Sequence, residues 1–276
     1  MVTLIKNKPV LLKVEHNTSK LSTDLAMEMG LIADKMSALP LIVGETSQDK
    51  RMLDHVLYMR YGMYALNPRT LIDIMINGNP PLVEAKQGGY AVYIDSELMK
   101  NRMRELRMTR GDLSNLLGTS RKALYAYEKG SAKCALTIAL KLESILGIPI
   151  IKALNPFEWR YRERYSWASY NRMMRRVGDP LREMVELFNK MRLDSFFTRN
   201  APFDFMLKDG GVDIIGNVLS RGDRSPSERH AVAKSVADIF GVRFLPVSFG
   251  VRADDFISFE ELKSARTIDD LIDFCV

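Results

Sequence analysis

Five side chains between residues 109 and 130 carry the chemistry that stands out in this chain: Arg110, Arg121, Lys122, Tyr125 and Lys129, within TRGDLSNLLGTSRKALYAYEKG. Arg121 and Lys122 fall in the first turn of a helix that Ser120 is placed to cap, and Tyr125 follows one turn later. Leu124 and Tyr127 point to the opposite side. A short helix with cations and a phenol on its outer N-terminal face suits the major groove of duplex DNA, where the first turn meets base edges. Arg110, at the start of the preceding helix, and Lys129, at the end of this one, are placed to meet phosphates. A helical hairpin with a solvated basic face is the bland alternative.

The elements that must hold these residues are legible from caps and spacing. Thr109 is a good N-cap, and Asp112 three residues on completes a capping box. Leu113, Leu116 and Leu117 make one apolar stripe, and Gly118 stands where a helix end needs positive φ. An earlier helix precedes this pair, and a later one is expected over Leu136 to Leu146.

Charge is concentrated in the same region. The chain of 276 residues has a net charge of +6, yet residues 95–178 alone carry +9 and residues 179–276 carry −4. Clustered positive charge is the footprint of a polyanion binder, whose affinity falls steeply with salt. Cys134 and Cys275 lie far apart, and His16, His55 and His230 are scattered, so no metal-ligand spacing exists and no cofactor is expected. Pro9 and the lysines Lys6, Lys8 and Lys13 interrupt any signal-peptide pattern, and no apolar run approaches a membrane span. A reduced cytoplasmic compartment is the expectation.

Over Leu98 to Asn155 the segment resembles helix-turn-helix domains of the Cro and lambda-repressor class. Arg104, the Leu113–Gly118 run, Ser120 and the Tyr127–Gly130 ending carry the likeness. Ser114 and Arg110 depart from it, standing where Ala and Gln are usual. The resemblance implies that Arg104 and Glu128 form a partly buried structural ion pair bracing the first helix against the third. It also implies that the Thr109 to Glu128 motif contacts DNA through Thr109, Arg110, Ser120, Arg121, Lys122, Tyr125 and Lys129, in a protein that binds two half-sites as a homodimer.

Both flanks read as α/β units. Val10–Val14 and Pro40–Gly44 are strand-like around a helical pattern from Leu21 to Met36, predicting a right-handed crossover and a parallel pair. Short apolar runs at Val56–Met59 and Tyr90–Ile94 flank a helix near Pro68 to Ile76. In the last third, a helix over Asp179–Met191, the run Phe203–Leu207, a strand over Val212–Leu219, a helix opened by Ser225 and a strand over Val242–Phe249 repeat the design. The expected fold class is α+β multidomain: a central all-α helix-turn-helix flanked by two α/β modules. The expected domains are 1–94, 95–155, an Arg/aromatic linker over 156–178, and 179–276.

From end to end the chain resembles an archaeal family of helix-turn-helix transcriptional regulators. LLKV, PLIVGE, RYGMYALNPRTL, NPPLVEAKQGGYAVYID and NAPFD carry that resemblance. It implies a restriction-endonuclease-like first module, and family members place a helix and a strand ahead of LLKV, so this module is expected to be incomplete. A nuclease of that kind needs an Asp on one strand and an acid-x-Lys pair on the next, to hold Mg²⁺ and activate water. Lys13 is preceded two residues earlier by Leu11, and the strand before offers Thr3. Asp204 is followed by Ile215-Gly216-Asn217-Val218, with no acid-x-Lys pair. The chain is therefore expected not to be an enzyme and to hold no metal. The competing classes are a metal-dependent nuclease and a scaffold whose helix-turn-helix docks protein.

Trp159, Tyr161, Tyr165, Trp167 and Tyr170 interleave with Arg160, Arg162, Arg164 and Arg172, and Arg175-Arg176 close the run. The pattern fits base stacking, but a linker whose aromatics pack on the next domain fits it better. No Gly-rich phosphate loop or acid cluster points to a small-molecule effector.

Overall fold

The computed structural model describes residues 1–5, 7–158, 179–209, 212–223 and 226–276. The Arg/aromatic run from Trp159 to Arg176, and Ser225, lie outside the described residues.

The chain divides into two compact units. One comprises the described residues of Leu12–Leu21 and Pro40–Arg162. Its sheet has the order β2-β3-β7-β6-β8-β9-β10, with β11 also on β9. The ranges are β2 Lys8–Val14, β3 Leu39–Val43, β6 Val56–Arg60, β7 Met63–Leu66, β8 Val83–Lys86, β9 Gly89–Ile94, β10 Cys134–Ala135 and β11 Ile151–Lys152, while β4 (Thr46–Ser47) and β5 (Lys50–Arg51) pair with each other outside this sheet. All five residues of β3 are buried, which matches an unbroken apolar run covered on both faces. β3 pairs in parallel with β7, β6 in parallel with β8, and β8 antiparallel with β9. The helix expected over Pro68 to Ile76 is α-helical only over Pro68–Ile72, helix α2, and continues as a π turn over Asp73–Asn77.

After β9 come the helices α3 (Ser96–Glu105), α4 (Arg110–Leu117), α5 (Arg121–Glu128) and α6 (Leu136–Leu146). This part is not purely α, which amends the sequence-based expectation. β10 and β11 both add antiparallel to β9, in registers Cys134↔Val92 and Ile151↔Ile94. Val92 and Ile94 belong to the same buried cluster as Met99, Leu113, Leu117, Leu124, Leu142 and Leu146. At roughly 1.5–3 kcal/mol for each fully buried aliphatic side chain, that cluster fixes the helices on one another and on β9 together.

The second unit comprises the described residues of Met1–Leu11, Ser22–Leu39 and Glu163–Val276. β1 (Val2–Ile5) pairs antiparallel with the start of β2, as in Val2↔Leu11. Helix α1 (Thr23–Lys35) is capped by Ser22 and buried over most of its length. The C-terminal part runs α7 (Asp179–Lys190), β12 (Asp194–Phe197), β13 (Phe205–Asp209), β14 (Val212–Leu219), α8 (Pro226–Phe240), β15 (Arg243–Ser248) and β16 (Ile257–Ser258). The short helices α9 (Phe259–Leu262) and α10 (Ile268–Ile272) follow. Its sheet has the order β12-β13-β14-β15-β16, and β14 and β15 pair in parallel across α8, the arrangement expected from the strand-helix-strand pattern. Gly216 is obligatory here: a Cβ would lie 2.2 Å from both the Leu245 carbonyl oxygen and the Phe205 ring.

Within this unit, the Glu28 carboxylate of α1 accepts hydrogen bonds from the backbone N–H groups of Arg199, Asn200 and Ala201 at 3.1, 2.8 and 2.9 Å. The Asn200 side-chain amide donates a fourth at 3.1 Å. A buried carboxylate is tolerated where several donors converge on it.

Candidate nucleic-acid interface

The turn between α4 and α5 forms for local reasons. The Thr109 hydroxyl accepts from the Asp112 N–H while the Asp112 side chain accepts from the Thr109 N–H, completing the capping box. Gly118 ends α4 with φ of 66°, a left-handed conformation that glycine adopts without a Cβ penalty. The Ser120 hydroxyl accepts from the Ala123 N–H and starts α5. The Asp112 carboxyl is held below the usual carboxylate range by its bonds to Thr109, with the charge of Arg121 adding to the effect.

α5 is two-faced. Leu124 and Glu128 are buried, and Tyr127 is half-buried with its carbonyl accepting from the Ser96 hydroxyl of α3. Ser120, Arg121, Lys122, Tyr125 and Lys129 are exposed, as are Thr109 and Arg110 at the head of α4. The structure thus brings all seven sequence-predicted contact residues into one short stretch around the turn. The Arg121 guanidinium lies across the first turn of α4: a Cβ at Gly111 would stand 3.1 Å from its Nη2.

The expected Arg104–Glu128 ion pair is corrected. Arg104, in the last turn of α3, donates to the Asn101 side chain one turn back on its own helix. Glu128 is held instead by Arg110, at 2.9 Å from Nε and 2.6 Å from Nη2. The pair therefore braces the second helix against the third. The reason is geometric: Arg110 stands at the first position of α4, from where its Nε and Nη2 both reach the same carboxylate oxygen, Oε2. The bond to Glu128 holds the Arg110 pKa above its usual value.

Sequence reading did not find the contacts around the Tyr125 ring. The Arg110 Cζ lies 5.0 Å from its centroid and the Lys129 Nζ 5.7 Å. Sequence reading also did not find Lys133, whose ammonium pairs with the buried Glu84 of β8 and lies 4.9 Å from the Tyr93 ring. The Ser-Ala-Lys-Cys run offers no local signal for that contact, because Glu84 is 49 residues away.

The residues weighed for nuclease chemistry are engaged otherwise. Lys13 pairs with Glu15 at 3.6 Å. Asp204 accepts from Arg229 Nη2 at 2.7 Å and from the Val218 N–H at 2.8 Å. Among the described residues no group of three His, Cys, Asp or Glu is arranged to hold a metal ion. No helix among them is long and apolar enough to cross a membrane.

Residues 98–152 match the helix-turn-helix family and residues 1–81 match the PD-(D/E)XK superfamily domain. A Methanoculleus marisnigri protein is 34% identical over 194 residues, 70% of this chain and 60% of that protein. Relatives from Pyrococcus horikoshii and Methanocaldococcus jannaschii are 28% and 29% identical over 83% and 84% of this chain, and 72% of their own length. This chain thus spans 60% of the first relative and 72% of the other two. No solved structure matches it. Residues 1–81 are thus similar to PD-(D/E)XK superfamily domains and residues 98–152 to Cro/lambda-type helix-turn-helix domains, and the archaeal relatives each carry a name that begins "Putative HTH-type transcriptional regulatory protein".

Proposed function

We propose that this chain is a sequence-specific, double-stranded DNA-binding transcriptional regulator whose DNA-binding domain is residues 95–155. The observation that carries the reading is the capped helix α5, with Arg121, Lys122 and Tyr125 exposed on one face and Arg110 and Lys129 at its flanks. The names of its archaeal relatives support the same reading. In this mechanism the first turn of α5 enters the major groove, Arg121 and Lys122 meet base edges, and Arg110 and Lys129 hold phosphates. A homodimer presents two such helices about one turn of DNA apart. A cytoplasmic location fits a protein that meets the genome.

A mobility-shift titration at two salt concentrations tests the proposal. A steep fall in affinity with salt supports it. A flat response, with binding to protein instead, would favour the scaffold reading.

The match of residues 1–81 to the PD-(D/E)XK superfamily domain favours a second reading, a metal-dependent nuclease. The residues present do not fit the metal. Leu11 stands where the acid of acid-x-Lys is needed, Lys13 pairs with Glu15, and Arg229 holds Asp204. We therefore read the chain as a non-enzyme. Plasmid nicking that depends on added Mg²⁺ and disappears in Lys13→Ala would overturn this.

A further inference from the structure

We propose that Tyr125 is a positioning residue: its ring gathers the Arg110 guanidinium and the Lys129 ammonium into a two-cation clamp for the DNA backbone. The inference rests on the DNA-binding reading and changes the part Tyr125 plays in it, from a direct DNA contact to support for the phosphate contacts.

Three observations carry it. Arg110 and Lys129 come from different segments, the head of α4 and the end of α5, and the Tyr125 ring is a point both approach, at 5.0 and 5.7 Å. The face of a phenol ring attracts cations and so offsets part of the repulsion between the two like charges. Glu128, buried and anionic, takes the Nε and Nη2 edge of the same guanidinium. A guanidinium has five N–H donors in a fixed fork, so fixing that edge orients the Nη1 amino group for an incoming phosphate. A freely rotating arginine side chain loses that entropy only on binding, whereas one held by a ring and a carboxylate has lost it already.

Tyr125 is 47% exposed, so replacing it removes little from the core and the fold stays testable. The experiment uses the full chain with Tyr125→Ala and Tyr125→Phe, titrated with selected and random duplexes over a salt series. Tyr125→Ala is expected to weaken both duplexes by the same factor, about two- to fivefold, and to lower the salt slope by about one. Tyr125→Phe, which keeps the ring, is expected to recover both. The opposite result overturns the inference: Tyr125→Ala relaxes discrimination at one base pair and leaves random-duplex binding untouched, or Tyr125→Phe recovers nothing. A second arm needs no DNA. The Arg110 Nε–H resonance is expected to shift on Tyr125→Leu, because the ring current is gone. An unmoved resonance rejects the clamp while leaving DNA binding standing. Wild-type protein that shows no salt-dependent duplex binding rejects the regulator reading, and the clamp with it.

Discussion

Arg110 and Glu128 are joined, with Glu128 Oε2 at 2.9 Å from Nε and 2.6 Å from Nη2, so the head of α4 is tied to the tail of α5. The pair sits where a structural brace and the proposed phosphate contact share one side chain. Removing the acid separates the two roles. Glu128→Gln is expected to cost about 1–2 kcal/mol through lost charge-assisted hydrogen bonds, read as a lower urea midpoint. Arg104→Ala, which leaves this pair intact, is expected to shift the midpoint much less. Equal shifts in the two variants would return Arg104 to the bracing role.

Gly111 faces the Arg121 guanidinium, and an added Cβ would meet Nη2 at 3.1 Å. Gly111 is the second residue of α4, so Gly111→Ala is expected to raise helix stability by less than the roughly 1 kcal/mol that alanine gains over glycine in a helix interior. It is also expected to push the Arg121 head aside and lower discrimination between operator and random duplex. Thermal melts and competition shifts on one preparation check both halves. A stabilised variant with unchanged discrimination would show that Arg121 does not depend on its seat over α4.

Glu28 collects three backbone N–H groups and one side-chain amide from residues 199–201. Glu28→Ala leaves these donors without that acceptor, at an expected cost of about 2–4 kcal/mol. Glu28→Gln, which keeps one carbonyl acceptor, is expected to cost less. Hydrogen exchange at the Asn200 and Ala201 amides gives the site-resolved check: both should exchange much faster in Glu28→Ala.

Asp204 supplies a pH signature. Burial pushes its carboxyl above the usual carboxylate range, outweighing the Val218 N–H and the Arg229 charge. A raised folded pKa means that the folded state holds the proton more tightly than the unfolded chain does. This increment of stability is therefore present below the ordinary carboxylate pKa and is lost as pH rises through the raised one. The stability difference between wild type and Asp204→Asn should shrink or reverse in favour of the variant as pH climbs out of the acid range. Urea midpoints of both proteins over that range test it, and a pH-independent difference would contradict the raised pKa.

The helix pair and its caps were legible because their signals are local. Thr109 with Asp112, Gly118 and Ser120 each act within a few residues, and all form as read. The partner of Glu128 was not legible, because spacing alone lets either Arg104 or Arg110 reach it and only the crossing of the helices decides. Strands β10 and β11 have two residues each, too short for any alternation of apolar and polar residues to register. Glu28 and Asn200 lie 172 residues apart, and no periodicity within α1 reveals that its buried acid is matched by the NAPFD segment. The β14-α8-β15 crossover was legible because β14 and β15 are each rich in apolar residues with a helix-length gap between them.

The two short strands on β9 have a mechanical consequence. Helices laced twice to a sheet edge, on either side of α6, cannot swivel alone; a torque on the reading head is borne by the platform beneath it. In the proposed homodimer two such heads would act as a stiff caliper, and inserting or removing a single base pair between the half-sites is expected to weaken binding sharply.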